Sequence, residues 1–215
     1  MRSDGPTDQR PAGVTDEAGR RLHAVVAGHR GDEAAARQLL GDGAPSVRAA
    51  ALGALARMER VGADDVLVGL ADASATVRER ATRAAGTSRA ASGSPAVTAA
   101  LVDLLDDRDP LVVEATCWAL GERAERVAVP GLAEVATRHP DPRCREGAVA
   151  ALGAIGDPAG LAAVLEALGD KPTVRRRAAV ALAGFDGPEV GAALERCRAD
   201  RDWQVRQVAG RLLAP

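Results

Sequence analysis

Three histidines and three cysteines give this 215-residue chain its main scope for metal or nucleophile chemistry. His23, His29 and His139 stand apart, and none belongs to an HExxH pair of zinc-protease type. Cys117, Cys144 and Cys197 are widely separated and form no CxxC, so neither a zinc knuckle nor a disulfide framework is implied. His139-Pro140-Asp141 followed by Cys144 gathers ligand types, but Cys144 falls on a repeated apolar position described below, where packing is the expected role. The acidic run Asp103–Asp109 lacks the glycine and ligand spacing of a calcium loop and reads as a solvated helix end. GxGxxG, Walker A and GxSxG are missing, and Lys171 is the single lysine. The sequence therefore predicts no catalytic residues, no cofactor and no metal.

The elements that would position these side chains follow from composition. The chain is 47% hydrophobic and 27% charged, with 48 alanines, 27 arginines, one phenylalanine, two tryptophans and no tyrosine. A core so poor in aromatic and β-branched residues argues against a β-sandwich or barrel. Alanine at this density argues for helix, where its propensity is highest. A formal charge of −2 gives no bulk attraction to nucleic acid or anionic lipid. No apolar run approaches the length of a membrane span, and the N-terminal residues lack the apolar core of a signal peptide. Cytoplasm is the expected location.

An internal repeat then dictates the architecture. Six segments align without gaps on anchors Val47, Val77, Val112, Cys144, Val174 and Val205, at spacings of 30 to 35 residues. Apolar residues recur at offsets 0, 4, 7, 8 and often 11 from each anchor, which places them on one helical face. Offset 7 is Ala54, Ala84, Ala119, Ala151, Ala181 and Leu212, so neighbouring backbones are expected to approach closely there. Proline precedes several anchors where a first helical turn tolerates it, and Ser74, Asp109, Asp141 and Asp202 are expected N-caps. Between these helices runs a shorter apolar pattern, including Leu101, Leu105, Leu132, Val135, Val164 and Leu194, opened by Pro130, Pro158 or Pro188 in three repeats. Each unit is a helical hairpin of about 31 residues. One hairpin cannot bury enough apolar surface to offset its ordering entropy, so the hairpins must stack.

The lines Asp141-Pro142-Arg143-Cys144-Arg145-Glu146-Gly147-Ala148 and Pro172-Thr173-Val174-Arg175-Arg176-Arg177-Ala178-Ala179 resemble the HEAT-repeat family, in its short bacterial form of the phycobilin lyase type. The resemblance spans about residues 33–215. It implies an all-α, right-handed α-solenoid of about six stacked hairpins, preceded by a capping helix over residues 15–29. A single domain over 15–215 follows a disordered tail at 1–14, and Thr87–Pro95 reads as a mobile loop. The resemblance further implies a ladder in which Arg48, Arg78, Arg145, Arg175 and Arg206, one residue after their anchors, pair with upstream aspartates such as Asp42, Asp72, Asp107 or Asp200. A row of anion-binding arginines is the alternative. Two repeats depart from the pattern, with Val113 in place of arginine and Ala85 in place of leucine.

In similar HEAT proteins the second helix lines the concave surface. Offsets 2, 3 and 6 point away from the core and place Glu79, Arg80, Arg83, Glu114, Trp118, Glu146, Arg176, Arg177 and Arg211 there. Core offsets repeat along the chain and these do not. Trp118 is a large aromatic on a stripe of small and charged residues, either an interface anchor or a filler of space left by alanine. The face is acidic in its middle and basic toward the C-terminus, which fits a protein or peptide of mixed charge and not a phosphate backbone. The expected function is a non-enzymatic scaffold. The resemblance keeps open a phycobilin lyase-like role with a tetrapyrrole or other anionic ligand, while a DNA-handling repeat enzyme is disfavoured by the balanced charge.

Overall fold

A computed structural model describes residues 16–214. The expected tail at 1–14 lies outside them. Among the described residues there are thirteen α-helices, four short 3₁₀ turns and no strand. The chain is an all-α repeat protein of the solenoid class. Its contacts divide it into two compact units, one ending at Arg60 and one starting at Val61.

The first unit holds α1 (Glu17–Arg30), α2 (Glu33–Leu39) and α3 (Pro45–Arg57). Asp16 and Asp32 cap α1 and α2 through bonds to the Gly19 and Ala35 amides, and Gly31 in the left-handed region ends α1. The expected capping helix is thus α1, and it packs against α3 as one second helix does on the next. A Cβ on Gly28 would lie 2.8 Å from the Ala54 Cα.

The second unit contains five hairpins: α4 (Ala63–Leu70) with α5 (Ala75–Thr87), α6 (Pro95–Asp103) with α7 (Pro110–Glu122), α8 (Val129–Arg138) with α9 (Pro142–Ile155), α10 (Leu161–Ala167) with α11 (Pro172–Ala181), and α12 (Pro188–Cys197) with α13 (Trp203–Leu212). Within this unit α5, α7, α9, α11 and α13 pack in succession, each on the next. Proline sits in the first turn of α6, α7, α8, α9, α11 and α12. Asp109, Asp141 and Asp202 cap as expected, but Ser74 stands at the N-cap of α5 without a side-chain bond to it. The six anchors are all essentially sealed from solvent, as are the offset-4 residues from Ala51 to Ala209. The segment after Thr87 is a hydrogen-bonded turn: Ser88 Oγ donates to the Val61 carbonyl and accepts from the Ala91 amide. Arg123 Nη1 donates to the Ala91 carbonyl, which ties this turn to the neighbouring hairpin.

The expected arginine ladder exists at Arg78, Arg145 and Arg175, with its direction corrected, while Arg206 on α13 reaches the Asp200 carbonyl. Arg78 pairs with Asp107 at 2.7 Å, Arg145 with Asp170 at 2.6 Å and Arg175 with Asp200 at 3.3 Å. In the first unit Arg20 pairs with Asp42 at 2.7 Å. Each carboxylate therefore belongs to the loop of the following hairpin, and the upstream loop offers backbone carbonyls instead. Arg78 Nη1 reaches the Asp72 and Ala73 carbonyls, and Arg145 Nη1 those of His139 and Pro140. The aspartates also accept a loop amide, as Asp107 does from Asp109 and Asp200 from Asp202. One guanidinium thus staples two consecutive loops. Where Val113 replaces the arginine and is buried, the matching loop of the next hairpin carries His139 in place of aspartate. His139 Nδ1 keeps the loop bond, accepting from the Asp141 amide at 3.1 Å.

This ladder makes stability pH-dependent. The Arg145 hydrogen bonds hold the Asp170 carboxyl below its ordinary value despite burial. Burial pushes Asp107 and Asp200 upward, but their arginine and amide bonds outweigh it and both end lowered. A carboxyl lowered on folding stabilises fully above its unfolded value near about 4, and that contribution is lost as pH falls through the folded value. Acid titration followed by circular dichroism should therefore show stability falling as pH drops below about 4. Asp170→Asn should be less stable at neutral pH and lose less on further acidification.

Candidate functional site

The second unit carries a groove of about 350 Å³ between α7 and α9, reaching Arg83 on α5 and Arg177 on α11. On α7 its wall is Glu114, Trp118 and Glu122 at successive intervals of four, so they form one helical stripe. On α9 the facing stripe is small: Gly147, Ala150, Ala151 and Ala154. The trough exists because these small α9 residues leave space opposite the bulky α7 wall, with the long side chains of Arg143 and Glu146 at its margin. Trp118 is half-buried, and its six-membered ring edge rests over Gly86, where a Cβ would meet Cζ3 at 2.6 Å. Trp118 thus fills space over a glycine and also lines open groove.

Of the nine expected face residues, the groove gathers Arg83, Glu114, Trp118, Glu146 and Arg177. Glu79 stands behind Arg83, paired with it at 2.6 Å. Arg80 and Arg211 are exposed elsewhere, and Arg176 is tied to Asp202 at 2.7 Å. Sequence reasoning missed Glu122 and Arg143, both in the lining. Glu122 could have been found, since it lies one turn beyond Trp118 on the same stripe.

The charges are mostly committed. Arg177 pairs with Glu146 at 3.3 Å across α11 and α9, and Arg143 with Asp141 at 2.8 Å. Hydrogen bonding to Arg143 lowers the Asp141 carboxyl to about 2. The Glu114 and Glu122 carboxylates make no hydrogen bond or ion pair among the described residues, although Glu114 lies near enough to Arg143 to favour its charge. A second depression adjoins the first, sharing Ala150, Ala154 and Arg177 and continuing past Gly153, Val180 and Ala183.

The thiols take no part in this lining. Burial pushes Cys117 and Cys197 upward and Cys144 to about 11, and the Cys144 thiol donates to the Pro110 carbonyl. Such thiols stay protonated and pack as small apolar groups. No helix among the described residues is long and apolar enough to cross a membrane.

Consecutive hairpins, a repeated buried anchor and a variable outer stripe define a helical-repeat protein. A family model for HEAT repeats matches residues 66–151 and 129–214, and the chain belongs to that family. Among solved structures it is similar to the CpcE–CpcF complex of phycocyanin lyase from Nostoc sp., at 24% identity and TM-score 0.62, over 82% of this chain and 74% of that one. A designed armadillo repeat protein matches at 19% identity and TM-score 0.62, over 83% and 97% of the two chains. Another designed armadillo repeat protein, in complex with the peptide (KR)4, matches at 19% identity and TM-score 0.56, over 90% and 96%. No curated protein matches the chain in sequence. These likenesses concern the fold.

Proposed function

We propose that the protein is a non-enzymatic scaffold that binds a protein or peptide of mixed charge along the groove beside Trp118. The observation that carries this reading is the pair of adjoining depressions on α7, α9 and α11. They make an elongated track whose lining changes from hairpin to hairpin while the buried positions stay constant. That shape suits an extended segment better than a compact metabolite. Trp118, with Arg83, Arg177 and Glu146 around it, has the composition of an interface anchor. Phosphate backbones are poor partners, because each groove arginine already faces a carboxylate. The designed repeat protein described with a bound peptide supports the reading by fold alone.

Panning a displayed peptide library on the purified protein tests it. Trp118→Ala should weaken the recovered peptides by about 2 kcal/mol or more, whereas Arg176→Glu, outside the groove, should leave them unchanged. Recovered peptides indifferent to Trp118→Ala would refute the site.

A second reading, a lyase or lyase subunit handling a tetrapyrrole, is favoured by the likeness to the phycocyanin lyase complex. A bilin mixed with the protein separates the two. A shifted absorption band with transfer to an acceptor protein supports the lyase, and an unchanged spectrum discards it.

A further inference from the structure

The scaffold reading leaves open what chemistry the groove selects, and the ion-pair pattern narrows it. Three arginines line the groove, and each already faces a carboxylate: Arg83 with Glu79, Arg143 with Asp141, Arg177 with Glu146. Those six charges cancel. What remains is Glu114 and Glu122, two carboxylates that make no side-chain hydrogen bond or ion pair among the described residues, one helical turn before and one after Trp118 on α7; Glu114 shares the field of Arg143 with Asp141 but does not bond to it. Glu114 is half-buried, so its negative charge sits where water screens it less than at an open surface.

From this juxtaposition we infer that the groove is a receptor for an arginine side chain presented by a partner peptide, its guanidinium on the Trp118 ring between Glu114 and Glu122. This deepens the scaffold reading and rests on it. A planar guanidinium stacks on an indole face and can donate to carboxylates on either side at once. An ammonium offers a compact charge without the planar fork and fits the same site less well. An anionic partner would meet two carboxylates that no hydrogen bond or ion pair occupies and would have to displace existing ion pairs to reach a cation. The adjoining depression along Gly153, Val180 and Ala183 gives the rest of the segment an apolar track.

The test uses the full chain carrying Trp203→Phe, which leaves Trp118 as the single tryptophan, since Trp203 and Trp118 are the only two. Trp203 is exposed, so its replacement leaves the groove untouched. Alanine-based heptapeptides with a central Arg, Lys, Gln or Glu are titrated while Trp118 emission is recorded. The Arg peptide should change the emission saturably, bind tighter than the Lys peptide and weaken as salt rises; the Gln and Glu peptides should do nothing. Glu114→Gln/Glu122→Gln should weaken the Arg peptide by about tenfold or more, with an unchanged circular dichroism spectrum. Preference for the Glu peptide, or Arg binding indifferent to the double carboxamide variant, overturns the inference. Non-basic library peptides whose binding needs Trp118 would overturn the arginine assignment and leave the scaffold standing. If no peptide depends on Trp118, both fall.

Discussion

Replacing Asp107 with alanine should cost about 3–5 kcal/mol of folding stability, because it strands Arg78 as a buried charge. The two side chains are 9% and 5% exposed, held together by two hydrogen bonds of 2.7 and 2.8 Å. Arg78 cannot swing into water without also releasing the Asp72 and Ala73 carbonyls that its Nη1 satisfies. In a chain of this length the loss corresponds to a fall of roughly 10 °C in Tm. The exposed pair Arg138–Glu134, at 78% and 68%, is the control, and Glu134→Ala should change stability by less than about 0.5 kcal/mol. The double change Arg78→Met/Asp107→Leu should recover part of the loss, since it removes the buried charge but leaves the two carbonyls without their donor. Chemical denaturation measures all four proteins. A cost below 1 kcal/mol for Asp107→Ala, about that of an exposed pair, would mean that the rung is screened by solvent and staples nothing.

Gly153→Val should be similarly damaging, by about 3 kcal/mol, for a steric reason. A Cβ at position 153 would stand 2.7 Å from both the Cα and the Cβ of Ala181 on the next second helix. The obstacle is backbone, so no rotamer relieves it, and α9 and α11 would have to separate. Gly121 meets the Ala151 Cα in the same way at 3.0 Å. Gly210 on α13 has nothing within 4 Å, so Gly210→Ala should stabilise by about 0.5–1 kcal/mol through helix propensity alone. Gly153→Ala, the identical chemical change, should instead destabilise. Thermal unfolding of the three variants checks both signs, and a Gly153→Ala protein more stable than the parent would refute the close approach.

The alanines at offset 7 and the glycines two residues later are therefore one device seen from its two sides. The sequence shows the alanine column plainly. Leu212 departs from it and lies 39% exposed on α13, on which no later described helix packs. Small residues are required only where another backbone arrives. The glycine half was not legible in advance, because Gly121 and Gly153 could as well have marked loose helix ends until their neighbours were known.

The anchors, the buried faces and the hairpin boundaries could all be read from the chain, because each depends on periodicity within a dozen residues and on proline or aspartate at a helix start. The identity of each arginine's partner could not. Upstream and downstream aspartates are both near in sequence terms, and only the offset between stacked hairpins selects the downstream one. The groove is decided the same way. Trp118 and Glu114 were visible as exposed residues on a stripe, but the trough depends on α9 presenting glycine and alanine opposite them. Local pattern fixes which face of a helix is buried. The spacing between helices, set by side-chain volume at their contacts, decides which exposed residues meet.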